Sequence, residues 1–178
     1  KHGGFFWWMD KNEEGTTMIT SPEGSSDESV SFTIEKYYNE EEVPEKYRKY
    51  VEEVFELQTI FEYELDYIQV RNDIHDETID VIMKNNSNSI RFEIRIYPQE
   101  ILRVREKYPG YVFERKFEDG GINFEIFSKE ELSGENTYLM YFYYGEEKYV
   151  IMGRGDENRL QEILVEYKNV VLNYCENN

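Results

Sequence analysis

The stretch IRFEIRIY, Ile90 to Tyr97, decides the fold class. Ile90, Phe92, Ile94 and Ile96 alternate with Arg91, Glu93, Arg95 and Tyr97, a period of two that belongs to a strand and not to a helix. Pro98 ends the strand, because it has no N–H to give a neighbouring strand. It also opens a short helical segment carrying Ile101, Leu102, Val104 and Tyr108.

Working outward, the same period recurs on both sides. Ile79, Val81 and Met83 alternate, and the polar run Asn85–Ser89 turns them into the quoted strand. Before them, Phe61, Tyr63, Leu65 and Tyr67 share one face, while Ile68 and Val70 share the other. That change of phase predicts a bulge or a bend in the strand. Ser31–Tyr37 reads as a further strand, and Phe5–Met9 can pair with Thr16–Thr20 around Asn12–Gly15. Downstream, Tyr111, Phe113 and Phe117 are placed on one face. Asp119–Gly121 is a hairpin turn, and Ile122, Phe124 and Ile126 answer on the next strand. Tyr138–Tyr144 is an unbroken apolar and aromatic run, suited to a central strand covered on both faces, and Gly145–Glu147 turns it into Lys148–Met152.

Two segments change to helical spacing. Pro44 opens one carrying Tyr47, Tyr50, Val51, Val54 and Phe55, with acids before its first turn. Asp156 caps the other, whose stripe is Leu160, Ile163, Leu164, Tyr167, Val170, Val171 and Tyr174. The predicted fold is α+β: an antiparallel, largely meandering sheet with two longer helices packed on one face. The predicted organisation is an N-terminal aromatic hairpin and polar linker over residues 1–40, then a single domain over 41–178.

The chain of 178 residues contains 38 acidic and 20 basic side chains, a net charge of −18, and no alanine. Its 16 Tyr and 11 Phe must supply much of the core volume, and its helices depend on packing more than on propensity. Such a charge excludes phosphate-backbone binding, so nucleic acid is not an expected partner. Anionic membrane surfaces are disfavoured for the same reason. One cysteine, Cys175, allows no intrachain disulfide. No run approaches the ~20 apolar residues of a membrane span.

GGINFEIFSKEELSGENTYLMYFYYGEEKYVIMGRGDENRLQEILVEY, residues 120–167, runs strand, long turn, aromatic strand, tight turn, short strand, terminal helix. With IRFEIRIYPQEILRVREKYPGYVFE, residues 90–114, it resembles the domain-of-unknown-function family numbered 4367 of membrane-tethered proteins in low-GC Gram-positive bacteria. The resemblance spans Ile79 to Tyr174. It implies a domain outside the cytoplasmic membrane behind a single span or another anchor, and it carries over no catalytic residue.

Motifs with chemistry of their own are few. Asp10, Asn12, Glu14 and Gly15 match the first half of a calcium loop, but the twelfth position is Ser21 where a bidentate Glu belongs, so an acidic turn is expected. Asp73, Asp76, Glu77 and Asp80 flank His75 and read as a solvated loop. His2 and His75, with one remote cysteine, cannot make a three-ligand zinc set, and there is no Gly-x-Ser-x-Gly elbow. Gly153–Asp156 spells Arg-Gly-Asp where a turn and helix cap should fall, and Asn85 begins a glycosylation sequon. No metal, cofactor or catalytic residue is expected.

The remaining candidates for contact are Phe5, Phe6, Trp7 and Trp8, which hold both tryptophans of the chain. The first residue is Lys1, so an anchor removed from the N-terminal side would place these rings where aromatic belts sit. The expectation is therefore a non-enzymatic extracytoplasmic sensor or interaction module with an unknown protein or small-molecule partner. It would meet the membrane only through that anchor. A carrier of an apolar ligand between sheet and helices is the alternative, and a metal-dependent hydrolase a remoter one.

Overall fold

The computed structural model describes residues 16–20, 31–72, 77–96 and 108–177, and of residues 16–20, 31 and 32 only the backbone. Among them are nine strands: β1 Thr16–Thr20, β2 Ser31–Tyr37, β3 Glu64–Asn72, β4 Glu77–Lys84, β5 Ser89–Ile96, β6 Val112–Asp119, β7 Ile122–Glu130, β8 Asn136–Tyr144 and β9 Glu147–Arg154. Two longer helices are α1, Glu45–Glu56, and α2, Glu157–Asn177. All strand pairs are antiparallel, in the order β1-β2-β3-β4-β5-β9-β8-β7-β6. The sheet is two meanders laid side by side. The first runs inward from β1 to β5, and the second starts at the far edge with β6 and returns to pair β9 with β5. The fold is α+β, as the strand and helix periods predict.

The alternation of β5 has the expected consequence on one face. Ile90, Phe92, Ile94 and Ile96 are buried with Val81 and Ile79 of β4, Ile68 and Val70 of β3, and Tyr149 and Ile151 of β9. Against this face lie the apolar stripes of α1 and α2. Tyr167 of α2 sets its ring edge-on to Phe92 at 5.3 Å and to Tyr149 at 5.6 Å, and Tyr149 stacks on Phe142 at 5.0 Å. Large rings therefore fill the volume that smaller aliphatics would otherwise take, each burial stabilising by roughly 1.5–3 kcal/mol.

Local chemistry sets the ends of the elements. The Asp156 carboxylate accepts the Asn158 N–H at 2.9 Å and caps α2. Gly120 and Gly121 both have positive φ in the two-residue β6–β7 turn, a backbone that favours glycine at both positions. The bulge predicted in β3 occurs, since the pairing with β4 skips a residue between Leu65 and Tyr67.

Three findings depart from the sequence expectations. β1 and β2 lie N-terminal to residue 41, yet both are hydrogen-bonded into the same sheet as β3. Phe113 and Phe117 do not share a face. A second bulge between Phe113 and Arg115 turns Phe113 towards Phe127, while Phe117 stacks on Phe124 among the helix-side residues. The strand over Lys148–Met152 is longer, Glu147–Arg154, and stands at the centre of the sheet. The expected helical segment after Pro98 falls on residues 97–107, outside the described residues.

Candidate functional site

Three constellations stand out among the described residues. The first lies between α1, α2 and the start of β9. Tyr47, Tyr50, Val51 and Val54 form the apolar stripe of α1, and Glu53 stands beside them, fully buried. Among the described residues neither carboxyl oxygen of Glu53 has a hydrogen-bond partner. Nearby, Glu147 accepts the Tyr50 hydroxyl at 2.8 Å and also the Tyr149 hydroxyl. The Tyr167 hydroxyl is buried without a partner. Burial pushes the Glu53 carboxyl up to about 8; Lys49 draws it down and Glu147 adds to the rise. Burial, with the charges of Glu53 and Glu147, also raises the Tyr149 and Tyr167 phenols, Tyr167 well above its ordinary value.

The second constellation occupies the opposite face of the sheet. Asp80 of β4 is fully buried and accepts the Arg71 Nε at 2.9 Å and the Arg91 Nη2 at 3.1 Å. Glu93 of β5 accepts Arg91 at 2.9 Å, Arg95 at 2.9 Å and Arg71 at 3.2 Å. Burial works to raise the Glu93 carboxyl, but Arg95, Arg91 and Arg71 together hold it well below the usual range. Alternation puts Arg91, Glu93 and Arg95 on one face, and register with β3 and β4 supplies the rest. Further along this face, the Lys148 Nζ is 4.2 Å from the centre of the Tyr141 ring and 4.7 Å from that of Tyr108, and it donates to the Tyr108 hydroxyl.

The third is the β6 edge. β6 pairs with β7 on one side and, among the described residues, with nothing on the other. Its first two residues, Val112 and Phe113, are 65% and 46% exposed. Val112 pairs in register with Ser128 of β7, and the β7–β8 turn a few residues beyond carries the fully exposed Leu132. Three large apolar side chains thus stand at one corner of the sheet. The rest of β6 is guarded differently. Glu114, Arg115, Lys116 and Glu118 line it, and Arg115 ties it to Glu157 and Gln161 of α2.

Of the residues singled out by sequence, Phe5, Phe6, Trp7 and Trp8 lie outside the described residues, as do Asp10–Gly15, Asp73, His75 and Asp76. Glu77 faces Lys46 at 3.6 Å, and Asp80 belongs to the arginine network, not to a solvated acidic loop. Arg154 ends β9, Gly155 turns with a φ of 109°, and Asp156 caps α2, so the Arg-Gly-Asp tripeptide is turn and cap. Asn85 accepts the N–H groups of Ser87 at 3.0 Å and Asn88 at 2.8 Å, closing the β4–β5 turn. Cys175 is exposed near the end of α2. Among the described residues no three His, Cys, Asp or Glu side chains converge as a metal site requires, and no helix is long and apolar enough to cross a membrane. Sequence reading missed Glu53, which sits in a row of acids with nothing local to mark it. It also missed the burial of Arg91 and Glu93. No known protein family, curated protein or solved structure matches the chain.

Proposed function

We propose that this chain is a non-catalytic interaction or sensor domain working outside the cytoplasmic membrane, and that the β6 edge with Val112, Phe113 and Leu132 is its contact surface. The observation behind this reading is the coincidence of an open strand edge with an exposed apolar corner. An open edge offers a row of backbone donors and acceptors to an extended segment, and apolar side chains at its end add burial. The charged residues along the remainder of β6 discourage indiscriminate pairing, which favours a selective partner. A net charge of −18 steers a cationic partner better than an anionic one. The extracytoplasmic placement rests on the resemblance to family 4367, and Phe5–Trp8 is a second contact element in the same reading.

Geometry favours contact over carriage of an apolar ligand. The space between sheet and helices is taken up by Phe92, Phe142, Tyr149 and Tyr167 in mutual ring contact. A groove of about 320 Å³ lies instead at the C-terminal ends of the helices, lined by Glu56, Val170, Asn173, Tyr174 and Asn177.

Site-specific photo-crosslinking in the native cells tests the proposal, with the probe at position 113 and a control at the equally exposed Ile60. A discrete adduct from position 113 that position 60 lacks supports it. No adduct, or the same adducts from both positions, removes it.

A further inference from the structure

We propose that Glu53, with Glu147 nearby, is a buried proton-binding group that couples the docking of α1 to pH. The proposal is independent of the β6 reading and rests on how the groups are arranged. Glu53 is fully buried on α1, and the charge of Glu147 at the start of β9 acts on it. Glu147 has its charge supported, because one of its oxygens accepts the Tyr50 hydroxyl and the other the Tyr149 hydroxyl. Glu53 has no such support: it is fully buried and both of its oxygens lack hydrogen-bond partners. A second ionised carboxylate here would be desolvated and would face the charge of the first. The stable arrangement keeps the Glu53 carboxyl protonated.

The groups facing Glu53 come from every element packed around it. α1 contributes Lys49, whose charge favours ionisation, and Tyr50. β9 contributes Glu147 and Tyr149, and α2 contributes Tyr167 and Tyr174, both of which feel the Glu53 charge. Lys49 is the one cation in this set, and burial outweighs its pull. The proton is therefore held by the packing of α1 against α2 and β9. Undocking α1 exposes Glu53 to water, where it ionises at its ordinary value.

The direction of the linkage follows. The Glu53 carboxyl titrates near 4.5 when exposed and near 8 when docked. Between those values the docked state binds one more proton than the undocked state, so its stability falls as pH rises and levels off above about 8. Inside that window the docking equilibrium weakens by up to about tenfold per pH unit. Glu93, held by Arg95, Arg91 and Arg71, acts in the opposite sense.

Hydrogen exchange from pH 5.5 to 8.5 tests the proposal, with amide protection in α1 compared with that in β5. In the wild type, α1 protection falls relative to β5 by at least tenfold across the range. In Glu53→Gln, which keeps the shape and cannot ionise, the relative protection of α1 stays constant. Glu147→Gln removes the neighbouring charge and moves the fall to lower pH. A Glu53→Gln protein with the wild-type pH dependence overturns the proposal. Should that variant fail to fold, the infrared carbonyl band of a protonated carboxylic acid decides on the wild type alone. A band present at pH 6.5 and lost above pH 9 supports the assignment, and its absence at pH 6.5 refutes it.

Discussion

Glu93 and Glu53 are the same side chain, both buried in the same small protein, and they are held in opposite states. Glu93 sits on the sheet face opposite α1 and α2, among three guanidiniums, and keeps its charge against burial. Glu53 sits on the helix face among phenols and another carboxylate, and keeps its proton. Burial penalises both charges; the donors in reach differ. A carboxylate with several charge-assisted hydrogen bonds tolerates a low-dielectric site, and one without them neutralises instead. The two faces therefore respond to pH with opposite sign.

The harshest way to break this comparison is Asp80→Ala. It leaves Arg71 and Arg91 with one shared carboxylate, Glu93, in a buried setting, and a loss of about 3–5 kcal/mol is expected in urea unfolding. A loss below about 1 kcal/mol would mean that the guanidiniums reach water and that the face is not sealed.

Glu93→Gln sharpens the contrast through its pH dependence. The folded carboxyl is held below its ordinary 4.5, so its contribution is complete above that value and disappears as pH falls below it. The substitution should cost about 2 kcal/mol at pH 7 and progressively less in acid. Under the same linkage, Glu53→Gln should lose the stability slope that the wild type shows between about 4.5 and 8. Unfolding midpoints measured at several pH values check both signs in one experiment.

Smaller effects refine the picture. Tyr167→Phe removes a buried hydroxyl that has no partner, and a gain of about 1 kcal/mol is expected because an unsatisfied group carries a desolvation penalty. A loss instead would show that the hydroxyl bonds to Glu53 in solution. Asp156→Ala touches neither region and sets the scale for a simple local change. Loss of the cap to Asn158 should lower stability by about 1 kcal/mol, read as a shift of the urea unfolding midpoint.

Much of the architecture was legible in the sequence because it is written in short-range periods. The alternation of Ile90–Tyr97, the phase change before Ile68 and the stripe from Leu160 to Val171 each correspond to an element or a bulge that exists. The second bulge was not legible: VFERK reads as ordinary alternation, and only the pairing with β7 shows the extra residue. Lys168 was read past as well. Its stem is buried while its Nζ reaches Asp119 at 2.6 Å, a contact across 49 residues of chain. The burial of the charged residues of β5 was not legible, because alternation identifies two faces and cannot say what covers the second.

By itself the sequence determined which segments are strands and helices, where they turn and cap, and that the sheet has a helix-covered apolar face. Those properties depend on backbone sterics, side-chain period and the nearest few residues. Only the tertiary structure decided that β9 returns to the centre beside β5, that Arg91 and Glu93 are sealed in an ion-pair network, and that burial pushes the Glu53 carboxyl up. Desolvation and Coulomb interactions depend on groups far apart in the chain, and a row of glutamates on a helix looks the same until its neighbours in space are known.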